Sequence, residues 1–219
     1  MGRICKLYPV FFIFKYAFMN YKRIVKNINK WIELSDEEIE FFSSKLNFRK
    51  VRRRQYILQE GDICKHYTFV NKGCLRLYSV DENGVEHILQ FAPEDFWVAD
   101  IGSFHQETTT SLYIEALEPS EVLQISKSDL METFFNYPSF DRVFRIMMEN
   151  AFIGLQKRVL QDISSTAEER YLTFVENFPQ LVNRIPQTQI AAYIGITPEF
   201  LSKIRKSLSQ KSRQPPSKY

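Results

Sequence analysis

The spacing of apolar positions changes twice along the 219 residues, and those changes divide the chain. Over 34–46, Ile39, Phe42 and Leu46 fall on one stripe and Ser35 stands three residues before Glu38, so a short helix opening with a capping box is predicted. Beyond Val51 the period shortens. Strand-like runs recur at 55–58, 67–70, 75–80, 87–91, 113–117 and 122–125, separated by Gly, Pro, Asp or Asn. Asn83-Gly84 between two of them predicts a hairpin, since both residues tolerate positive φ. Many short strands at this spacing predict a barrel or roll.

From 140 to 163 the helical period returns with apolar groups on nearly every side, and such a helix must be buried on more than one face. One face suits the roll. The other wants a partner, most simply the same helix of a second subunit, with Val143, Phe144, Met147, Met148, Ala151 and Leu155 as candidate interface residues. Ser164 and Ser165 interrupt the pattern, Ser165 has capping-box spacing to Glu168, and Phe178-Pro179 ends the next helix. The chain therefore divides into an extension (1–30), a β-roll (31–137), a dimerisation helix (138–163), a helical domain (164–208) and a flexible basic tail (209–219).

The segment 185–208 reads IPQTQIAAYIGITPEFLSKIRKSL. A short helix from Gln187 to Ile194, a glycine at 195 for a tight turn, and a second helix capped by Thr197 and opened by Pro198 make a helix-turn-helix. Ile196, Leu201 and Ile204 point inward. The opposite face presents Glu199, Ser202, Lys203 and Lys206, with Arg205 to one side, a set suited to base edges and phosphates in a major groove. With Gln187, Thr188, Thr197 and Pro198 these are the candidate DNA-binding residues.

Charge sharpens this reading. Residues 1–54 carry 13 Lys and Arg against 5 Asp and Glu, 55–155 carry 6 against 16, and 156–219 carry 10 against 5. An acidic middle followed by a basic end suits a polyanion partner at the C-terminus. Seven glycines form no phosphate loop, and no HExxH or GxSxG occurs, so no enzyme is expected. Cys5, Cys64 and Cys74 suit a reducing cytoplasm, cannot alone supply the four thiolates of an iron–sulfur cluster, and with His66 and His87 match no zinc spacing. No metal or cofactor is expected. The apolar stretch 7–19 is too short to span a bilayer; an amphipathic anchor and a translation start at Met19 both stay open, the latter preferred, and no membrane partner is expected.

EGD at 60–62, YTFVNKGCLRLY at 67–78, the NG hairpin, PEDF at 93–96, EALEPSEVLQIS at 115–126, a long helix and a C-terminal helix-turn-helix together resemble the Crp/Fnr transcription regulators over about 34–208. The resemblance implies an α+β fold with a cyclic-nucleotide-binding-like, jelly-roll-like β-roll, and a homodimer that binds a two-fold symmetric operator on double-stranded DNA. It implies RNA polymerase as a further partner. It also implies that Thr197, Pro198, Glu199, Ser202 and Lys203 face the bases, with proline where better-known relatives have arginine.

In cyclic-nucleotide-binding members a glutamate holds the ribose and, ten residues later, an arginine clamps the phosphate. Alignment on 115–126 puts Asp100 and Thr110 at those positions, with Ser111 beside them. Thr110 cannot supply a charged fork, and no arginine occurs between Arg76 and Arg142, so no response to cyclic AMP is expected and the small-molecule effector is unassigned. His105, Glu107 and 108–111 read as a solvated loop. The competing functions are a diverged sensor subunit acting through protein contacts, favoured if Lys203, Arg205 and Lys206 are buried or paired, and a membrane-associated adaptor anchored by 1–18.

Overall fold

The computed structural model describes residues 21–211. A helical segment at 21–28 (α1) leads into α2 (Asp36–Ser44), whose capping box between Ser35 and Glu38 forms as the sequence predicts. The roll follows, with β1 (Asn47–Val51), β2 (Tyr56–Leu58), β3 (His66–Lys72), β4 (Leu75–Val80), β5 (Glu86–Ala92), β6 (Trp97–Val98), α3 (Ile101–Gln106), β7 (Tyr113–Ala116) and β8 (Ser120–Ser126). Then come α4 (Lys127–Asn136), α5 (Pro138–Ser164), α6 (Ala167–Asn177), α7 (Gln187–Ile194) and α8 (Pro198–Lys211).

The strands make two antiparallel four-stranded sheets, ordered β1-β8-β3-β6 and β2-β7-β4-β5. Alternation along β4 explains the architecture. Leu75 and Leu77 point into the roll, where they join Phe69, Ile114, Leu123 and Phe140. Cys74 and Tyr78, on the outer side with Ile88 and Phe91 of β5, join a second core built from Phe174, Leu181, Ile190, Ala191, Ile194, Leu201 and Ile204. The β4–β5 side of this sheet is covered on both faces, so β4 reads as an almost unbroken buried run instead of an in–out alternation. The C-terminal helices have no core separate from the roll.

Several expectations change. Residues 21–30 are not an extension: Ile24 and Ile28 are fully buried in the roll's core, because Tyr21, Ile24, Val25 and Ile28 put an apolar stripe on an otherwise basic helix. Val143 and Phe144 face the chain's own roll and are 0% and 6% exposed, so they are not free for a second subunit; the three-to-four spacing gave their face no label. The capping box ahead of α6 is Thr166 with Glu169, one residue later than expected, because Ser165 still closes α5 by donating its N–H to the Gln161 carbonyl. α8 continues through Lys211, so 209–211 are helix and not tail; 1–20 and 212–219 lie outside the described residues.

Candidate nucleic-acid interface and effector pocket

The turn between α7 and α8 is built as the sequence demands. Gly195 adopts φ 69° and the Ile196 N–H returns to the Ala191 carbonyl at 3.0 Å, while Thr197 Oγ1 accepts from the Phe200 N–H at 3.3 Å and Pro198 takes the first helical position. Leu201 and Ile204 are buried beneath α8, 1% and 6% exposed, and lock it to α7. Thr197, Pro198, Glu199, Ser202, Lys203 and Lys206 are exposed together, and Arg205 is half-buried at their edge. The Glu199 backbone N–H and the Thr197 hydroxyl hold the Glu199 carboxyl below the usual carboxylate range, keeping it an acceptor. Ser202 Oγ donates to the Pro198 carbonyl at 3.0 Å, so only its lone pairs remain for a partner.

At the start of α7, Thr188 is exposed. Gln187 is not available in the way expected, since its Nε2 donates to the Val182 carbonyl at 3.1 Å and its Oε1 is buried without a partner.

Three arginines hold this helix pair against the roll. Arg76 on β4 is 6% exposed and uses all five of its donors: two on Glu115 (2.6 and 2.9 Å), two on Glu86, one of them at 2.9 Å, and one on Gln189 Oε1 of α7 at 2.7 Å. Arg158 on α5 donates to the Leu89, Ile88 and Tyr193 carbonyls and lies 4.1 Å above the Tyr193 ring. Arg184 reaches Glu94 at 2.6 and 2.8 Å and Glu118 at 2.9 Å. Between them Phe91 packs on Phe174 and Tyr193, with centroids 6.0 and 5.2 Å apart. No periodicity announces Arg76 or Gln189; the only signal in the sequence is a charged residue in the middle of an apolar strand run.

The structure brings Asp100 and Thr110 together, and against each other. Asp100 caps α3, accepting from the Ser103 N–H at 3.2 Å, and its second oxygen accepts from Thr110 Oγ1 at 2.5 Å. Thr110 is 4% exposed; its hydroxyl also accepts from the Leu112 N–H at 2.9 Å and its backbone is tied to Gly61 and Asp62. Ser111 is exposed beside them. Inside, Phe104 of α3 meets Tyr67 edge-on at 5.5 Å, and Tyr67 touches Trp97 and Phe144 at 5.6 and 6.2 Å, so rings fill the space between the roll and α5. An open polar cleft of about 520 Å³, lined by Lys72, Glu94, Asp95 and Gln180 among others, sits elsewhere. Glu107 pairs with Lys127 at 2.9 Å on the surface. Burial pushes the Cys74 thiol up to about 12 and raises that of Cys64, which disfavours the thiolate at both.

A model of the cyclic nucleotide-binding domain matches residues 48–137. The chain is 25% identical over 170 residues to electron transport regulator A of Shewanella oneidensis, covering 71% of this chain and 66% of the relative, just under two thirds of its length. It is 25% identical over 185 residues to the fumarate and nitrate reduction regulatory protein of Escherichia coli K12, covering 78% of this chain and 72% of that protein. A crystal structure of a transcriptional regulator of the Crp/Fnr family from Eubacterium rectale superposes with TM-score 0.64 at 15% identity, covering 85% of this chain and 88% of that one.

Residues 48–137 match the cyclic nucleotide-binding domain, and the chain beyond them is similar to Crp/Fnr regulators in fold.

The Escherichia coli relative is named a regulatory protein and the Eubacterium rectale structure a transcriptional regulator. At the two positions that the resemblance aligns with nucleotide ligands, the roll carries a neutral hydroxyl committed to Asp100. It also leaves the outer half of α5 uncovered: Phe152, Leu155, Leu160 and Ile163 are 60%, 57%, 64% and 79% exposed. Among the described residues no helix is long and apolar enough to cross a membrane.

Proposed function

We propose that this protein is a homodimeric, sequence-specific DNA-binding regulator of transcription that acts in the cytoplasm and does not respond to cyclic AMP. One observation carries the reading: the face of α8 opposite Leu201 and Ile204 keeps Glu199, Lys203 and Lys206 exposed, and neither lysine forms an ion pair among the described residues. The sensor-subunit reading is favoured by a buried or paired basic face, and Lys203 and Lys206 are neither among the described residues.

The chemistry follows from position. Glu199, in the first turn of α8, can only accept, and the base edge that offers a donor without a competing acceptor in the major groove is the cytosine N4 amine. Lys203 adds a donor suited to guanine O6 and N7, while Lys206, one turn on, reaches toward phosphate. Thr197, Pro198 and Thr188 line the approach, and Arg205 flanks it. Two such helices related by a two-fold axis meet half-sites centred about 10 base pairs apart or a multiple of that.

The exposed apolar face of α5 supports the dimer, since Phe152, Leu155, Leu160 and Ile163 would otherwise stand in water on one helix. Met147, Met148 and Ala151 continue toward the roll; the two methionines are half-buried against its core. RNA polymerase is the partner that a regulator seated at a promoter would meet. Selection of bound fragments from genomic DNA tests the proposal: it predicts recovery of a two-fold symmetric motif, and recovery of unselected sequence would refute it.

A further inference from the structure

The chain reaches the helix-turn-helix from α5 through Ser165, Thr166 and the whole of α6, and that path does not by itself fix where α8 points. What fixes it is the outer face of the β4–β5 sheet. The second core seats α7 there by apolar contact, which is non-directional and tolerates sliding. Direction comes from charged groups: Arg158 ties the Tyr193 end of α7 to α5 and β5, and Arg76 ties its first turn to β4. The Arg76 guanidinium is buried, stacked 4.0 Å from the Tyr78 ring and clamped by Glu115 and Glu86, so its remaining donor has one orientation, and that donor ends on Gln189 Oε1 at 2.7 Å. Gln189 Nε2 in turn faces Glu86 Oε2 at 3.4 Å. One amide thus reads both signs of a pre-built ion cluster on the roll.

We propose that Gln189 is a positioning residue for DNA recognition: through Arg76 and Glu86 it fixes the helix-turn-helix on the roll of its own protomer, and so sets the separation at which two recognition helices meet their half-sites. This rests on the dimeric DNA-binding reading above. Gln189 lies on α7, away from the exposed face of α8, and touches no base in that reading. It controls half-site spacing without controlling half-site sequence.

The cluster also dictates the test. Gln189→Glu removes the amide donor and sets a third carboxylate against Glu86 with one arginine to share, which is repulsive. Glu86→Gln on that background restores one donor facing one acceptor with the roles exchanged. Binding is measured on a library in which two identical half-sites are separated by spacers of varied length. Wild type should favour one spacer, and in Gln189→Glu that preference should fall by about tenfold, the worth of one hydrogen bond to a charged group. The preferred half-site sequence should stay the same. The double variant Gln189→Glu/Glu86→Gln should regain the wild-type spacer. If Gln189→Glu does not fold, Gln189→Ala, which deletes the contact without adding charge, should show the same loss of spacer preference. Full spacer preference in a folded Gln189 variant overturns the inference while leaving the DNA-binding reading intact. A wild type that binds no paired half-sites overturns both.

Discussion

Thr110 Oγ1 donates to Asp100 Oδ2 at 2.5 Å, across ten residues of sequence, and in the proposed reading this contact stands where the resemblance aligns a phosphate-binding arginine. A phosphodiester there needs a cation with two aligned donors; it meets a buried hydroxyl already spent on a carboxylate. Titration calorimetry with cyclic AMP and cyclic GMP should therefore record no binding at micromolar concentrations. A micromolar dissociation constant would show that another anion site exists in the roll.

Dimerisation is predicted to depend on the exposed half of α5. Replacing Leu155 and Leu160 by glutamate should yield monomers in light scattering, since two uncompensated charges would be buried in the seam, each at a cost of several kcal/mol. Both side chains are solvent-exposed in the single chain, so folding should survive. A wild type that is monomeric at micromolar concentration would contradict the dimer.

Two glycines with positive φ separate strain from space. Gly73 has φ 97° and a Cβ there would lie 2.2 Å from Ser120 Oγ and 2.8 Å from Ser120 Cα, whereas Gly195 has φ 69° with nothing within 4 Å. Gly195→Ala should cost only the backbone term, about 1 kcal/mol, in denaturant unfolding. Gly73→Ala should cost clearly more, because the β8 backbone must move as well.

Acid should loosen the contact between the roll and the C-terminal helices late. Burial by itself would raise the Glu94 carboxyl, but Arg184 and the Gly73 N–H hold it down to about 2. A carboxyl lowered in the folded state stabilises fully above its unfolded value, and that contribution drains as pH falls toward the folded one. Tyr193, 5.2 Å from Phe91, lies inside the contact. Near-ultraviolet dichroism should therefore hold steady down to about pH 4 and decline between there and pH 2. In Glu94→Gln the part of that decline due to this pair should vanish.

How much of this was legible in the sequence differs by element, for physical reasons. The helix-turn-helix was readable because a glycine, a threonine cap and a proline each have one local conformation to offer, at 195, 197 and 198. The six strands flanked by turn residues were readable for the same reason, although at the hairpin only Gly84 takes positive φ. β1 and β6 were not, since Asn47–Val51 carries Arg49 and Lys50 on successive positions that break any apolar alternation and Trp97–Val98 is two residues held by β3. α1 was hidden by its basic residues. The outer sheet face could not be read at all: Arg76 and Gln189 are 113 positions apart, and nothing local in either joins them.

The central claim is that α8 reads DNA, and it is tested most directly by salt-dependent binding to the selected operator with two variants. Lys206→Ala should weaken binding to all sequences alike and lower the salt slope by about one, because a phosphate contact is lost. Glu199→Ala should keep the slope and relax preference at one base position by about 1–3 kcal/mol. Footprints of wild type should show two half-sites. Binding undiminished in a variant with Glu199, Lys203 and Lys206 all changed to alanine would contradict the account.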